Sequence, residues 1–381
     1  MMQLIQVFLD LEYQIDFATT ASAGEKSEGL GQFGIHSHSI ELNNSNFDEF
    51  VKQLSPNVVL FDRYITEEQF GWRVAEQCPQ ALRILDTEDL HFLRKAREVA
   101  HKKNHPLELY TDRAKRELAS ILRSDVSLIV SSAEMKLLDE TFHVPLGILH
   151  YLPIWVDKLE TDFPSFETRK DFITLGNFQH APNTSSVIYL KKTIWPLIRK
   201  QLPEAKLHIY GAYAPKSIAD LHNEQEGFLI KGWAPSVKEV MTHARVCLAP
   251  LQYGAGLKGK LLDAACFGTP SVTTTIGNEG LFTMNLVEDS PEAFAEKAIS
   301  LYTQENLWMQ QQKEGRSALE KHFMKQSHVP TFVEKVQELR KKLPSHRNQH
   351  FLGQIFHEQT LQATKYMSKW IELKNMKEDS L

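Results

Sequence analysis

Short apolar runs alternate with helical patterns along most of this chain, in two successive series. The first series contains β-type runs at residues 14–22, 57–65, 81–89 and 125–132. The second series contains runs at 171–178, 206–213, 227–233, 244–251 and 270–277. Strands that alternate with helices predict a parallel sheet covered by helices on both faces. The sequence therefore predicts two α/β domains.

A polar stretch without periodicity separates the two series, and it contains Pro164. We expect an N-terminal domain at 1–154, a linker at 155–170 and a C-terminal domain at 171–330. Residues 331–381 are mostly helical in pattern, and we expect this tail to pack back on the N-terminal domain. The first residues predict a helix, because Met1, Leu4, Ile5 and Phe8 recur at helical spacing.

The composition excludes several classes of protein. A formal net charge of −5 argues against a nucleic-acid-binding surface. The 3 cysteines are widely spaced, which offers neither a disulfide framework nor a zinc site and suits a reducing compartment. There is no uncharged apolar run of about 18 residues that could span a membrane. We expect a cytoplasmic protein, with contact at the inner face of the membrane as an open alternative.

Glycine follows nearly every strand of the second series. These positions are Gly176, Gly211, Gly232, Gly254, Gly256 and Gly280. Ligands of open parallel sheets bind beyond the carboxyl ends of the strands. Since glycine has no Cβ, it lets a ligand or another backbone approach closely. The set as a whole predicts a ligand site at this edge, although any single glycine could simply allow a loop to turn.

The run "YGAGLKGKLLDAACFGTP" (253–270) contains the P-loop pattern G-x-x-x-x-G-K, followed by Leu261 where Mg²⁺ binding requires Ser or Thr. We favour a different anion site, formed by free N–H groups of a helix that starts near Lys260. Lys258 and Lys260 add positive charge, so a diphosphate can bind without a metal. Asp263 is a candidate to accept hydrogen bonds from ribose hydroxyls, or an early-helix acid favoured by the dipole.

At the end of the fourth run of the first series (125–132), Ser131 and Glu134 have the spacing of a capping box and predict the start of a helix.

Several segments resemble a known family. The runs "LGNFQHAPN", "LPEAKLHIYG", "KGWAPSVKEV" and 245–281 resemble, in order, the donor domain of family-4-like glycosyltransferases of the GT-B fold. The runs "VVLFDRYITEEQFGWRV", "LRILDTEDLHFLRKAR" and "RELASILRSDVSLIVSSAE" resemble the N-terminal domain of a bacterial branch. The strongest motif of the resemblance extends from Ala249 to Leu281.

The resemblance implies two Rossmann-like domains that face a cleft. A nucleotide-diphosphate sugar would bind the C-terminal domain, and a glycan or lipid-linked acceptor would bind the N-terminal domain. It implies sugar transfer with retention of configuration and without a metal or other cofactor. Donor-binding positions carried over are Gly176, Asn177, Gly211, Gly232, Trp233, Gly254, Gly256, Leu257, Lys258, Lys260, Asp263, Glu279 and Gly280.

The sequence constrains the residues that would bind the acceptor, or a metal ion, less than it constrains the donor site. Candidates at the ends of N-domain strands are Asp62, Arg63, Glu67, Asp86, Glu88, Asp89 and His91, of which we favour Asp86 and His91 as catalytic. His36 and His38 share one face of a strand but lack a third ligand, so we interpret them as a surface pair.

Two departures from the family pattern leave alternatives open. The family's paired-acid pattern would put a first Glu at position 255, eight residues before Asp263, and this chain has Ala255 there. The family domain also opens with a strand and a glycine-rich loop, whereas this chain begins within the following helix. We therefore expect a truncated chain or an incomplete N-domain sheet. A catalytically impaired nucleotide-binding protein and a nucleotide-sugar epimerase or hydrolase stay as alternatives.

The tail has apolar positions near helical spacing among lysines, including Leu352, Phe356, Tyr366, Trp370 and Leu373. A basic amphipathic helix can bind a membrane surface. An apolar stripe at this spacing more often faces a protein core, so we favour packing on the N-terminal domain.

Overall fold

The computed structural model describes residues 1–22, 29–160, 162–358 and 370. Within these ranges two α/β domains follow one another, and a helical segment returns from the second domain to the first.

The N-terminal domain consists of short parallel strands with helices between them. Its elements are α1 (Met2–Asp10), β1 (Asp16–Thr19), β2 (His36–Ser39), α2 (Asn46–Leu54), β3 (Val58–Asp62), α3 (Arg63–Gln77), β4 (Leu82–Asp86), α4 (His91–Lys103), α5 (Asp112–Arg123), β5 (Val126–Ile129), α6 (Ser132–Glu140) and β6 (Leu149–Tyr151). Strands β3, β4, β5 and β6 form one parallel sheet, and β1 pairs only with β2. The strands of this domain therefore do not form one continuous sheet.

The C-terminal domain is a doubly wound sheet. Its elements are β7 (Lys170–Leu175), α7 (Ala181–Tyr189), α8 (Trp195–Gln201), β8 (Leu207–Tyr210), α9 (Lys216–Ala219), β9 (Phe228–Gly232), α10 (Val237–His243), β10 (Ala244–Ala249), α11 (Gly259–Cys266), β11 (Ser271–Thr273), α12 (Thr275–Asn278), β12 (Leu286–Val287), α13 (Pro291–Thr303) and α14 (Glu305–His322). The strand order is β12-β11-β10-β7-β8-β9, all parallel. The order reverses between β7 and β10, and such a reversal opens a crevice for ligands.

Burial of apolar side chains explains why the segment after β10 forms a helix at this point. Leu261, Leu262 and Ala264 of α11 are buried in a core that also contains Cys247 and Ala249 of β10. Leu261, which stands where a P-loop would have Ser or Thr, is therefore an interior residue of α11.

A final helical segment crosses back to the N-terminal domain. It consists of α15 (Lys325–Gln349) and α16 (Phe351–His357). Phe332, Val336 and Leu339 of α15 pack in one core with Leu4 and Phe8 of α1. Beside the crossing, the Val156 N–H donates to the Phe323 carbonyl at 2.7 Å, so the two connections between the domains run together.

Two of the apolar residues singled out in the tail lie largely outside this packing, since Leu352 and Phe356 of α16 are 55% and 42% exposed. Tyr366 and Leu373 lie outside the described residues. None of the helices in the described ranges combines the length and the apolarity needed to cross a bilayer.

Candidate functional site

The loop between β10 and α11 lies at the reversal of strand order. Gly256 has a φ of +64°, and Lys258 precedes the first residue of α11. Lys258 Nζ donates to the Gly256 carbonyl at 2.8 Å, and the side chain is buried. Burial lowers the pKa of Lys258 to about 8, although the carboxylates of Glu279 and Glu134 oppose this shift. The loop therefore folds back around a buried ammonium group.

Lys260 joins this loop to the loop that follows β7. Its Nζ donates to Asn183 Oδ1 at 2.8 Å, and Asn183 Nδ2 donates to the Asn177 carbonyl at 2.8 Å. The Asn183 side chain also covers Gly176, where an added Cβ would lie 2.5 Å from Asn183 Cγ. Burial lowers the pKa of Lys260 to about 8. The structure thus brings together Gly176, Asn177 and Lys260, three residues predicted to bind the donor.

Other predicted donor positions lie along the same edge with different surroundings. Gly211 contacts the Gly176 carbonyl so closely that a Cβ would not fit, so backbone packing explains this glycine. Gly232 has a φ of +72° with open space beside it, and Trp233 is 58% exposed. Asp263 is half-buried in α11, and burial raises its pKa to about 6.

The N-terminal domain contacts the same loops directly. Arg97 of α4 donates to Glu279 through Nη1 at 2.7 Å and Nη2 at 2.6 Å, and Nη1 also donates to the Gly254 carbonyl at 2.8 Å. Glu279, which the resemblance carries over as a donor-binding residue, is therefore held in an ion pair between the domains.

Glu134 of α6 forms a second contact between the domains. Its Oε1 accepts the Gly256 N–H at 2.7 Å and the Leu90 N–H at 3.0 Å. Burial raises the pKa of this carboxyl. Ser131 is the N-cap residue of α6, so the helix begins where the sequence predicted. The hydrogen bonds of a capping box are absent, since the Ser131 side chain makes no capping bond and Glu134 accepts the Leu90 and Gly256 N–H groups instead.

The carboxyl ends of β3 and β4 carry the residues predicted for the acceptor side. Asp86 is buried at the end of β4, and burial raises its pKa to about 6. His91 begins α4, and burial together with Arg94 and Arg63 lowers its pKa to about 3. The imidazole is therefore neutral at neutral pH. Its Nε2 lies 3.3 Å from Asp89 Oδ1.

Backbone strain is concentrated at this same edge. Arg63 and Glu88 have φ angles of +66° and +55°, in the left-handed region that non-glycine residues rarely adopt. Such strain persists where the surrounding structure enforces it, and it clusters at functional sites. The edge is a candidate for substrate contact on this ground, independently of the sequence pattern.

Glu67, another acceptor-side candidate, has a different setting. It is buried in α3 and forms an ion pair with Arg123 at 2.6 Å, inside the N-terminal domain. Asp62 pairs with its neighbour Arg63 at 2.7 Å.

His38 Nε2 lies 2.7 Å from Asp16 Oδ1 on the separate β1-β2 pair. Within the described ranges, no group of three His, Cys, Asp or Glu side chains is placed to hold a metal ion.

Three residues that line the site were not predicted from the sequence as site residues: Arg97, Glu134 and Asn183. All three lie within helices rather than at the ends of strands, so the rule that located the glycine loops could not find them. Only the packing of the domains against each other shows that Arg97 and Glu134 reach the loop after β10.

Comparison with protein families identifies the C-terminal domain. Residues 169–304 match the family described as Glycosyl transferases group 1. No curated protein matches the sequence of this chain.

Solved structures with similar folds include a sucrose-phosphate synthase, a glycosyltransferase and an O-GlcNAc transferase. Sucrose-phosphate synthase (tll1590) from Thermosynechococcus elongatus has a TM-score of 0.68 at 15% identity, covering 88% of this chain and 92% of that protein. WaaG, a glycosyltransferase involved in lipopolysaccharide biosynthesis, has a TM-score of 0.63 at 14% identity, covering 88% and 94%. The pneumococcal O-GlcNAc transferase GtfA, in complex with UDP and GlcNAc, has a TM-score of 0.59 at 20% identity, covering 77% and 59%.

These similarities show the fold. The chain has the GT-B architecture of two Rossmann-like domains with a helical C-terminal segment, as the sequence predicted. It spans 59% of the length of GtfA and 57% of that of TarM.

Proposed function

We infer that this chain, which carries a glycosyl transferases group 1 domain at residues 169–304, transfers a sugar from a nucleotide-diphosphate donor to a glycan or lipid-linked acceptor. The observation that supports this most strongly is the loop after β10, where the buried Lys258 donates to the Gly256 carbonyl and Lys260 donates to Asn183, which contacts the loop after β7. Breaking a sugar–phosphate bond leaves negative charge on the departing diphosphate. Preorganised cations and N–H groups aimed at that charge lower the barrier.

Lys260 is the better supported of the two lysines. A buried ammonium group is costly unless an anion or hydrogen-bond acceptors surround it. Lys260 donates to the neutral amide of Asn183, and no carboxylate among the described residues forms an ion pair with it. A donor diphosphate would supply the missing counter-charge beside Gly176. This argument also accounts for the lowered pKa of Lys260, which the bound anion would raise again.

We propose that the reaction needs no metal and retains the anomeric configuration. Metal independence is supported by Lys258, Lys260 and the N–H groups at the start of α11, which together can neutralise a diphosphate. Retention is supported by the family resemblance alone, because position 255, where the family's paired-acid pattern has a Glu, is alanine in this chain.

On the acceptor side we propose roles for Asp86 and His91. Both groups are buried at the carboxyl end of β4 or the start of α4. A neutral His91 can accept a hydrogen bond from an acceptor hydroxyl, and Asp86 can do so once ionised above about pH 6. These are the properties that a group needs to bind or deprotonate a hydroxyl near neutral pH.

A lipid-linked acceptor would bring the protein to the inner face of the membrane. Two surfaces support this proposal. Residues 91–116 contain eight Lys or Arg against three Asp or Glu, in a chain of net charge −5. On α16, Phe351 and Ile355 are 59% and 51% exposed. Basic residues beside exposed apolar side chains favour binding to anionic lipid.

The proposed function is tested in two steps. Thermal-shift measurements with UDP, GDP, ADP and their glucose and N-acetylglucosamine conjugates identify the nucleotide, because a ligand of the folded state raises Tm. Release of the nucleoside diphosphate is then measured with and without a glycan or lipid-linked acceptor, and with EDTA. Release that requires the acceptor and resists EDTA supports the proposal. Binding without turnover indicates an impaired protein. Release of the diphosphate without acceptor indicates a hydrolase, and conversion of the nucleotide-sugar to its epimer without release indicates an epimerase.

A further inference from the structure

A cavity of about 500 Å³ lies beside the amino end of β4, and we call it the β4 cavity. Its lining includes Arg83 of β4, Arg347 of α15, and Phe351 and Ile355 of α16. Arg83 is the second residue of β4, whereas Asp86 of the candidate site is the last. The cavity is therefore at the opposite end of this strand from the candidate site. Its volume is within the range of pockets that bind small organic molecules.

Two arginines at the β4 cavity share one buried carboxylate. Arg347 donates to both oxygens of Asp125 at 2.7 and 2.8 Å. Arg83 Nε lies 3.6 Å from Asp125 Oδ2, which is an ion pair without a hydrogen bond. Arg83 is 7% exposed and Asp125 is 4% exposed. Two guanidinium groups thus face one carboxylate, which leaves an excess of one positive charge beside the cavity.

Other ionisable groups near the cavity do not balance this excess. Glu67 forms an ion pair with Arg123 at 2.6 Å. Glu358 lines the cavity but is exposed, so water and salt screen its charge. Burial, together with Arg83, lowers the pKa of His357 to about 4, so this imidazole is neutral at neutral pH. Because a buried charge is costly unless it is paired, an anion at the cavity would be stabilised.

The hydrogen bonding of Arg83 is incomplete as well. Its buried Nε has no hydrogen-bond partner among the described residues. Its Nη1 lies 2.8 Å from His357 Nε2, and the same ring nitrogen lies 3.1 Å from the Arg123 carbonyl oxygen. One ring nitrogen accepts from the guanidinium or donates to the carbonyl, but it cannot do both. An acceptor that binds Arg83 from the cavity would remove this conflict.

The rest of the lining is largely apolar. Phe351 and Ile355 are 59% and 51% exposed, and Ala75 and Pro79 line the side nearest α3. Covering apolar area removes it from water and is favourable, by about 25 cal/mol per Å². The cavity therefore combines a buried cation with an apolar wall. This combination is complementary to a molecule that has an anionic group at one end and an apolar body.

We propose that the β4 cavity binds a small organic anion, with its carboxylate or phosphate group at Arg83 and its apolar body against Phe351 and Ile355. A guanidinium group binds carboxylates and phosphates through the same planar fork, so both groups fit this chemistry. The bound molecule would contact β4 and α16 together, and so it would hold the returning helical segment on the N-terminal domain. This inference does not depend on the proposed function.

The experiment is isothermal titration of the full chain with four probes. Hexanoate and hexyl phosphate combine an anionic group with an apolar body, inorganic phosphate has only the charge, and 1-hexanol has only the apolar body. At least one of the first two should bind at least about tenfold more tightly than either of the others, and it should raise Tm. The tighter of the two shows whether the site prefers a carboxylate or a phosphate.

Two variants test whether the β4 cavity is where the probe binds. Arg83→Gln removes the guanidinium group, and Ile355→Glu places a negative charge on the apolar wall. Each should weaken binding of the tighter probe about tenfold. Leu352→Glu is the matched control, because Leu352 is 55% exposed on the same helix and is not among the described residues that line the cavity. It should change the affinity less than about twofold. Should Arg83→Gln not fold, Ile355→Glu gives the same comparison, because it replaces an exposed side chain.

The remaining outcomes would overturn the inference. No binding of hexanoate or hexyl phosphate, or binding no tighter than that of inorganic phosphate, would do so. An affinity that both variants leave unchanged would place the anion elsewhere, for example at Lys258 and Lys260. Vesicles of phosphatidylglycerol and phosphatidylcholine are the last probe. Vesicle binding that both variants lose, without binding of the soluble anions, would replace the small anion with a lipid headgroup. The proposed function is tested separately, with nucleotide-sugars.

Discussion

Arg97 and Glu279 form a two-pronged ion pair across the domain boundary, with N–O distances of 2.7 and 2.6 Å. Because the Arg97 guanidinium also donates to the Gly254 carbonyl, one side chain connects α4 to both the loop after β10 and the loop after α12. The position of the loop after β10 therefore depends on the N-terminal domain as well as on the domain that contains it.

Replacing Arg97 tests this dependence. Arg97→Lys keeps the charge but loses the planar fork, so we expect donor affinity to fall about tenfold. In a double-mutant cycle with Glu279→Gln, the two losses should be strongly non-additive. Lys95→Ala on the same helix is the control, since Lys95 pairs only with the nearby Glu98. Additive effects on donor affinity would contradict a functional pair.

The close approach at Gly256 gives a second prediction. Alanine at Gly256 meets both a φ of +64° and Asp89, so the domains must separate to admit it. Gly256→Ala should lose most transfer activity. Gly34→Ala is the matched control, because Gly34 has a φ of +72° and open space beside it, and it is not among the site residues. It should cost only about 1 kcal/mol of stability. Transfer rates and unfolding free energies measured for both variants check this, and similar activity in the two would refute the close contact.

Asp86 predicts a pH dependence of stability. Burial raises its pKa in the folded protein from 3.8 to about 6. Its stabilising contribution is therefore present below about pH 4 and is lost as the pH rises through about 6. Asp86→Asn has no such loss, so relative to the unchanged protein it should gain about 2–3 kcal/mol between pH 4 and pH 7. Urea unfolding across this range measures the gain, and a constant difference would argue against a buried titrating carboxyl.

The crossing helix predicts a stability effect far from the site. Arg347 of α15 donates to both oxygens of the buried Asp125 at 2.7 and 2.8 Å. Removing Arg347 leaves that carboxylate poorly compensated, so Arg347→Ala should destabilise by about 3–5 kcal/mol. Arg340→Ala on the same helix should cost less than about 1 kcal/mol, since Arg340 is exposed. Equal urea midpoints for the two variants would show that α15 is not anchored through Asp125.

Periodicity predicted most of the strands, and strand ends predicted the loops of the site. Apolar runs located β7 to β11 to within a few residues, because buried parallel strands are continuous and apolar. The strands β6 and β12 were missed. They have 3 and 2 residues, which is too short to give a pattern.

The directions in which the side chains of the site point could not be predicted from the sequence. Ser131 and Glu134 have the spacing of a capping box, yet Glu134 is used between domains instead, because Gly256 presents an amide to it there. The pairing of Arg97 with Glu279 joins residues 182 positions apart. Contacts of this kind follow from how the two domains meet, which no local pattern records.

The central claim is that Lys258 and Lys260 bind the donor diphosphate. The most direct measurement compares the Kd of the preferred nucleoside diphosphate with that of its nucleoside, for the unchanged protein and for the Lys258→Met/Lys260→Met variant. Lys191→Met serves as a control, because Lys191 pairs with Glu226 away from the loop. We expect the double variant to bind the diphosphate about a hundredfold more weakly, with the nucleoside unaffected. An unchanged Kd for the diphosphate in a folded double variant would contradict the account.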